Sequence, residues 1–288
     1  MPYLLAIASA ILYGAADFAG GVASRRGATI PVVFLSQVSG LALLILLLPL
    51  LPHASPSRAD LLWGAAAGLT GGIGVALLYR ALAIGRMAVV APTTAVCAVA
   101  IPVVVSVLLG ERLVALALAG IVLGVISIVL VSQQTAPDAG EHGAVPPGRL
   151  PAGMAVALVS GVAIGFFFLA LAQTRPEAGM WPIVMSRTLS TTFFGVAVLA
   201  RRQSLRMAPP VLLLVLVCGA VDMFANALYL LAARQGPLSV VVTLSSLYPA
   251  STVLLARVVL AERLNALQIT GVACALGAIV LIVSGGRG

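Results

Sequence analysis

"VLAERLNALQITG", residues 259–271, has a near twin 151 positions earlier, "LLGERLVALALAG", residues 108–120. Glu262 and Glu111, Arg263 and Arg112, and Gly271 and Gly120 align without a gap. The same offset lays "ALLYRALAIGRMAVV" (76–90) on "ALYLLAARQGPLSVV" (227–241), and it carries Gly14 onto Gly165, Pro31 onto Pro182 and Gly85 onto Gly236. Apolar segments resemble one another by chance. An ungapped offset that matches Glu, Arg, Gly and Pro together is not explained that way, and it predicts a chain built from two related halves.

Composition says what the halves are. Of 288 residues, 61% are hydrophobic and 8% charged, with a mean hydropathy of +1.18. A soluble domain carries about 25% charged residues, so this is an integral membrane protein, and its length divides into spans of roughly 20 residues. Apolar runs fall at 3–23, 31–51, 61–80, 88–109, 113–132, 152–172, 181–200, 211–232, 238–260 and 265–284. The fold predicted is an all-α integral membrane protein with ten transmembrane helices. The one long polar stretch, "QQTAPDAGEHGAVPPGRLP" at 133–151, is a linker by its Pro, Gly and charge content. It separates a first five-helix unit, 1–132, from a second, 152–288.

The net charge is +8, and every basic residue is Arg. These arginines lie singly or in pairs between apolar runs, as anchors at the lipid headgroups do, so no nucleic-acid partner is expected. Cys97, Cys218 and Cys274 lie in apolar runs without disulfide or zinc spacing. His53 and His142 sit in polar linkers. No metal and no cofactor is expected. The first Arg is Arg25, so residues 3–23 lack the basic lead of a signal peptide and read as a retained span.

Five spans is an odd number. The second half therefore enters the membrane from the opposite side, and the two halves become inverted repeats, a recurrent transporter architecture. At this point the chain resembles the EamA-type members of the drug/metabolite transporter superfamily. The resemblance rests on the ten spans, the two repeats, the "GERL" and "AERL" loops and "GPLSVVVTLSSLYPASTVLLA" at 236–256. It implies alternating access, and export or exchange of small hydrophilic metabolites such as amino acids. It also implies a central cavity near the first, third, fourth, sixth, eighth and ninth helices. The chain departs from the pattern at one point: Ala98 holds the position that matches Pro249, and Pro102 comes four residues later.

Asp17 and Asp222 are the acidic residues well inside apolar runs. A charge there costs roughly 2.5–3.5 kcal/mol on insertion scales, and it is tolerated in a wet cavity or beside a partner. Asp222, Asn226 and Tyr229 share one stripe of the eighth run; Ser9, Tyr13 and Asp17 share one on the first. Both stripes are expected to face the bundle interior. Pro92 and Pro102 in the fourth run and Pro249 in the ninth predict broken helices, the sequence pointer to a transporter site. Thr94 and Ser245 match at the offset of 151, and Tyr248 follows Ser245 by one turn. The substrate-binding set is therefore Tyr13, Asp17, Tyr79, Thr94, Asp222, Asn226, Tyr229, Ser245 and Tyr248, with Tyr79 entering from the third run. Asp222 is the candidate for proton coupling, unless Arg187 pairs with it and keeps it charged. Arg187 otherwise reads as a residue snorkelling to the interface. Pro102, Pro249, Glu111 and Glu262 are structural or gating candidates, and each Glu is expected to complement the dipole of the helix that it opens. Gly64, Gly68 and Gly72, four apart, predict close helix packing in lipid.

An intramembrane aspartyl protease is the competing reading, since two carboxylates can form a dyad. It leaves the repeat unexplained and lacks a Gly-x-Gly-Asp turn at either Asp, so no enzyme is expected. The expected partners are a small-molecule substrate and the lipid bilayer, with the chain a monomer or weak homodimer. Both termini are expected in the cytoplasm, with the chain in the cell's inner membrane, as the resemblance implies. The positive-inside rule argues the other way, because Arg25, Arg26, Arg80, Arg86, Arg149, Arg201, Arg202, Arg206 and Arg263 then lie outside, against Arg58, Arg112, Arg175, Arg234 and Arg287 inside.

Overall fold

The computed structural model describes residues 2–108, 115–132, 151–235, 244, 245 and 247–285. Among them run ten α-helices: α1 (Pro2–Arg26), α2 (Thr29–Leu47), α3 (Arg58–Ile84), α4 (Met87–Leu108), α5 (Ala115–Ser132), α6 (Met154–Ala172), α7 (Trp181–Ala200), α8 (Pro209–Gln235), α9 (Tyr248–Val259) and α10 (Ala266–Gly285). Six are long and apolar enough to cross a membrane by length and composition: α1, α2 extended to Leu50, α3, and the stretches Met154–Leu171, Trp181–Ala200 and Pro209–Tyr229. Shorter apolar helical stretches occupy Met87–Ala98, Leu118–Ser127, Tyr248–Val259 and Ala266–Leu281. The expected linker, but for Pro151, and Glu111 with Arg112 lie outside the described residues.

Large apolar side chains point outward, among them Leu4, Ile11, Leu46, Leu62, Leu199, Leu213, Leu254 and Val258, while Ala6, Ala10, Ala16, Ala23, Ala67, Ala157, Ala225 and Ala256 fill the interior. That arrangement suits lipid, where helices associate through small residues and close backbone approach rather than through hydrophobic expulsion. The glycine ladder of α3 is an instance. A Cβ at Gly64 would lie 2.5 Å from the Pro182 carbonyl oxygen, and one at Gly72 2.5 Å from Ser190 Oγ; Gly68 abuts the Ser186 carbonyl between them. Each rung of α3 thus meets a rung of α7 four residues further along, as the spacing predicts.

The helix contacts fall into pairs. α1 packs on α8 and α3 on α6; α2 packs on α8 and α3 on α7; α1 packs on α9 and α4 on α6. α2 meets α7, α4 meets α9, and α5 meets α10. Hydroxyl bonds between helices follow the sequence offset. Ser9 Oγ donates to the Ala225 carbonyl at 2.8 Å, and Ser160 Oγ to the Gly74 carbonyl at 2.7 Å. Ser245 Oγ donates to the Ala6 carbonyl at 3.4 Å, and Thr94 Oγ1 to the Ala157 carbonyl at 3.3 Å. In both pairs donor and acceptor positions each differ by 151, with the donor's half exchanged.

Two expectations need correction. α4 runs unbroken through Pro92 and Pro102. It is wedged between α6, α9 and α10, and such packing lets a membrane helix absorb a missing N–H. In the ninth run, by contrast, α9 starts at Tyr248 with Pro249 in its first turn, where proline needs no helical donor. Glu262 also serves a different helix from the one expected. It lies four residues before α10 and accepts from the backbone N–H groups of Met87 and Ala88, each at 3.1 Å, so it caps α4. The backbone before it turns sharply through Ala261, whose φ of 53° is left-handed. Asn265 caps α10 instead, its Oδ1 accepting from Gln268 N at 2.7 Å.

Arg25 completes this clasp. It donates to Glu262 at 3.2 Å, to the Leu82 carbonyl at 3.2 Å and to the Gly85 carbonyl at 3.0 Å, tying α1 to the end of α3 and the start of α4. At the other end of α3, about 40 Å away by the rise of its helix, Ser57 and Asp60 form a capping box, and Asp60 accepts from Arg175 at 3.0 Å. The hydrogen bond to Asp60 holds the Arg175 guanidinium above its ordinary value.

Candidate functional site

The two polar stripes converge at the centre of the bundle. Asp17 lies on α1 two turns before Arg25, and Asp222 lies at the midpoint of α8. Cys218, four residues before Asp222, bonds to the carbonyl of Ala16, the neighbour of Asp17, and to the hydroxyl of Tyr79 on α3. Tyr13, one turn before Asp17, meets Tyr248 edge to face with ring centroids 6.4 Å apart. Tyr229 packs in the cluster that holds Ala6 of α1. Tyr13, Asp17, Tyr79, Asp222, Asn226, Tyr229 and Tyr248 therefore share one neighbourhood, contributed by α1, α3, α8 and α9.

Asp222 is not alone there. Arg187 of α7 donates to it, and also to Gln37 Oε1 of α2 at 2.5 Å. The guanidinium is mostly buried, at 11% exposure, so it does not snorkel to the interface. Room for it comes from Gly40: a Cβ there would lie 3.2 Å from Arg187 Nη1 and 2.9 Å from the Gly219 carbonyl. Asn226 Nδ2 donates to the Asp222 backbone carbonyl at 2.8 Å. Asp222 thus sits in a three-helix network with a cation of its own.

Asp17 has no such partner. Among the described residues no hydrogen bond or ion pair reaches its carboxylate, and the residue is half-buried. The helix around it is nonetheless fixed. Cys218 Sγ donates to the Ala16 carbonyl at 3.2 Å and lies 3.2 Å from Tyr79 Oη, while the Tyr79 ring lies against Gly20. On the other side Gly14 abuts the Tyr248 carbonyl and Ser251, and Thr252 donates to the Gly14 carbonyl at 3.1 Å. Thr94 and Ser245 are both buried, and their hydroxyls are taken up by the interhelical bonds to Ala157 and Ala6.

Three contributors carried no distinguishing signal in the sequence. Gln37 is a single amide in an apolar run, Gly40 is one of 29 glycines, and Cys218 is a lone thiol. Each gains its role only from what faces it across a helix boundary.

Membrane-length helices around a buried charged centre define a multi-pass membrane protein. The model of the EamA-like transporter family matches residues 1–133 and 151–284. The chain belongs to the EamA-like transporter family, and so to the membrane transporters of the drug/metabolite transporter superfamily. A search of the curated proteins finds no match. Among solved structures, a crystal structure of a protein 19% identical aligns over 99% of this chain and 98% of that one, with a TM-score of 0.62. At that identity the likeness concerns the fold.

Proposed function

We propose that the protein is a secondary transporter that exports small hydrophilic metabolites, amino acids or related compounds, by alternating access. It does so through two inverted repeats of five transmembrane helices. The observation that carries this reading is the pairing of interhelical bonds: Ser9–Ala225 with Ser160–Gly74, and Ser245–Ala6 with Thr94–Ala157, each pair related by 151 residues. Two halves that grip each other through equivalent bonds have two equivalent ways to rock about a central site, which is the physical basis of alternating access. The polar centre between α1, α3, α8 and α9 supplies that site.

The protease reading gains nothing here. A carboxylate dyad shares one proton between two acids, and Arg187 occupies Asp222. Both termini are proposed to face the cytoplasm from the inner membrane, with the chain a monomer or weak homodimer.

The test is efflux from proteoliposomes loaded with a mixture of cytosolic metabolites and followed by mass spectrometry. Saturable, accelerated exchange of specific solutes is expected. Release that matches protein-free vesicles, or that rises linearly with concentration like a pore, refutes the reading.

A further inference from the structure

The charged side chains of the polar centre, among the described residues, are Asp17, Asp222 and Arg187. They do not balance. Arg187 is committed to Asp222 and Gln37, which leaves the centre with one carboxylate in excess. An unpaired carboxyl in a low-dielectric interior is costly as an anion, and such a residue is kept where a cation or a proton visits.

We infer that Asp17 is the recognition point for the protonated amino group of the transported solute, so that the substrates are small primary amines and amino-bearing zwitterions rather than organic anions. The inference rests on the transporter reading and deepens it.

The surroundings of Asp17 fit an ammonium. Tyr13 precedes it by one turn of α1 and meets Tyr248 of α9 edge to face, and the ring of Tyr79 from α3 lies against Gly20, three residues after it. Aromatic rings within about 6 Å attract a cation through their π faces, and more so when water is excluded. The same surroundings do not fit a hard metal ion. Calcium and magnesium take six or more oxygen ligands, and among the described residues the one free carboxylate here is accompanied by phenols. Among the described residues of this centre an anionic solute meets no free cation, since the guanidinium of Arg187 is already engaged. A carboxylate on the solute is therefore tolerated without being required. That separates this site from one that recognises amino acids by both ends.

Three probe families made from alanine, leucine and phenylalanine decide the matter: the free amino acid, its methyl ester and its N-acetyl derivative. The ester keeps the ammonium and loses the carboxylate, and the acetyl compound does the reverse. Binding is read as thermal stabilisation of the full chain in detergent. At least one family is expected to stabilise wild type as amino acid and as ester, with affinity at least about tenfold weaker for its N-acetyl compound, because a charge-assisted hydrogen bond is lost. Asp17→Asn is expected to lose the ester by a similar factor while Asp17→Glu retains it. N-acetyl derivatives that bind as well as the esters overturn the inference with wild type alone, so the test survives if Asp17→Asn does not fold. An Asp17→Asn protein that binds esters unchanged also overturns it. If no amine binds, the efflux assay assigns the failure. Release of neutral or anionic solutes leaves the transporter reading standing without this one, and release of nothing removes both.

Discussion

Glu262 offers the sharpest stability test, because one carboxylate serves three partners on two helices, α1 and α4. In Glu262→Ala the Met87 and Ala88 N–H groups lose their acceptor, and the Glu262 side chain is 10% exposed, so water replaces it poorly. A buried unsatisfied donor costs roughly 1–3 kcal/mol. The carboxylate's favourable position at the amino end of α4 contributes a further 0.3–1 kcal/mol or about that. The pair with Arg25 adds little: that side chain is 30% exposed, and exposed pairs contribute about 0–1 kcal/mol. Arg25 also keeps its bonds to the Leu82 and Gly85 carbonyls. The expected loss is therefore about 3 kcal/mol for Glu262→Ala. Glu262→Gln keeps one acceptor oxygen, so it should lose about half as much. Thermal unfolding in detergent, followed by circular dichroism, reads both as lowered midpoints in that order. A Glu262→Ala protein that unfolds at the wild-type temperature would falsify the cap. Equal losses for Ala and Gln would show that the charge matters and the hydrogen bonds do not.

Three further outcomes follow from the packing. Ser9→Ala and Ser160→Ala each remove one interhelical hydroxyl bond, of about 0.6 kcal/mol on average in membranes, and should cost equal amounts; unequal costs in the same unfolding assay count against equivalent halves. Gly64→Ala should destabilise by about 1–3 kcal/mol, because its new methyl sits 2.5 Å from backbone that cannot turn aside, and a neutral result would mean that α3 and α7 separate freely. Arg187→Gln and Asp222→Asn should each cost about 3–5 kcal/mol by stranding a buried charge, while the double variant should be more stable than either single one; strict additivity in the cycle would refute the pair.

The helices were legible from periodicity and length because a bilayer admits little else. The apolar runs locate nine of the ten described helices to within about four residues, and the ninth run is the exception. The ninth run opens at 238, ahead of α9 at Tyr248. The stripe on α8 located Asp222 and Asn226, and the spacing of Gly64, Gly68 and Gly72 located a helix crossing. What stayed hidden was pairing across helices. Asp222 and Asp17 look alike in sequence, and Asp222 was the residue that spacing pointed to for coupling. Its cation is 35 residues away on α7 and is steered by Gln37 from α2. By sequence Glu262 is a cap for its own helix, because the nearest helix start along the chain is that of α10; the nearest in space is that of α4. Local rules find a carboxylate at a helix start, and only tertiary structure says whose start it is.

The offset of 151 also bears on why the described residues form one charged intramembrane centre rather than two. The hydroxyl bonds repeat across it, but the polar lining does not: Tyr13 corresponds to Ile164, Asp17 to Phe168, Asn226 to Val75, Tyr229 to Leu78, and Asp222 to Gly71. The space that opens at Gly71 is filled by the ring of Phe167, 2.6 Å from where a Cβ would stand. The position that matches Asp222 at the offset is therefore plugged by an aromatic side chain. On the inverted-repeat reading this division has a physical logic. The rocking motion needs equivalent contacts in both halves, so the serine and threonine bonds are duplicated. Binding one asymmetric solute at a time needs a single charged anchor, so the charge is confined to one side of the axis. Duplicated charges would place two uncompensated carboxylates in the same low-dielectric space, where their repulsion would oppose the closed packing that the paired hydroxyl bonds favour.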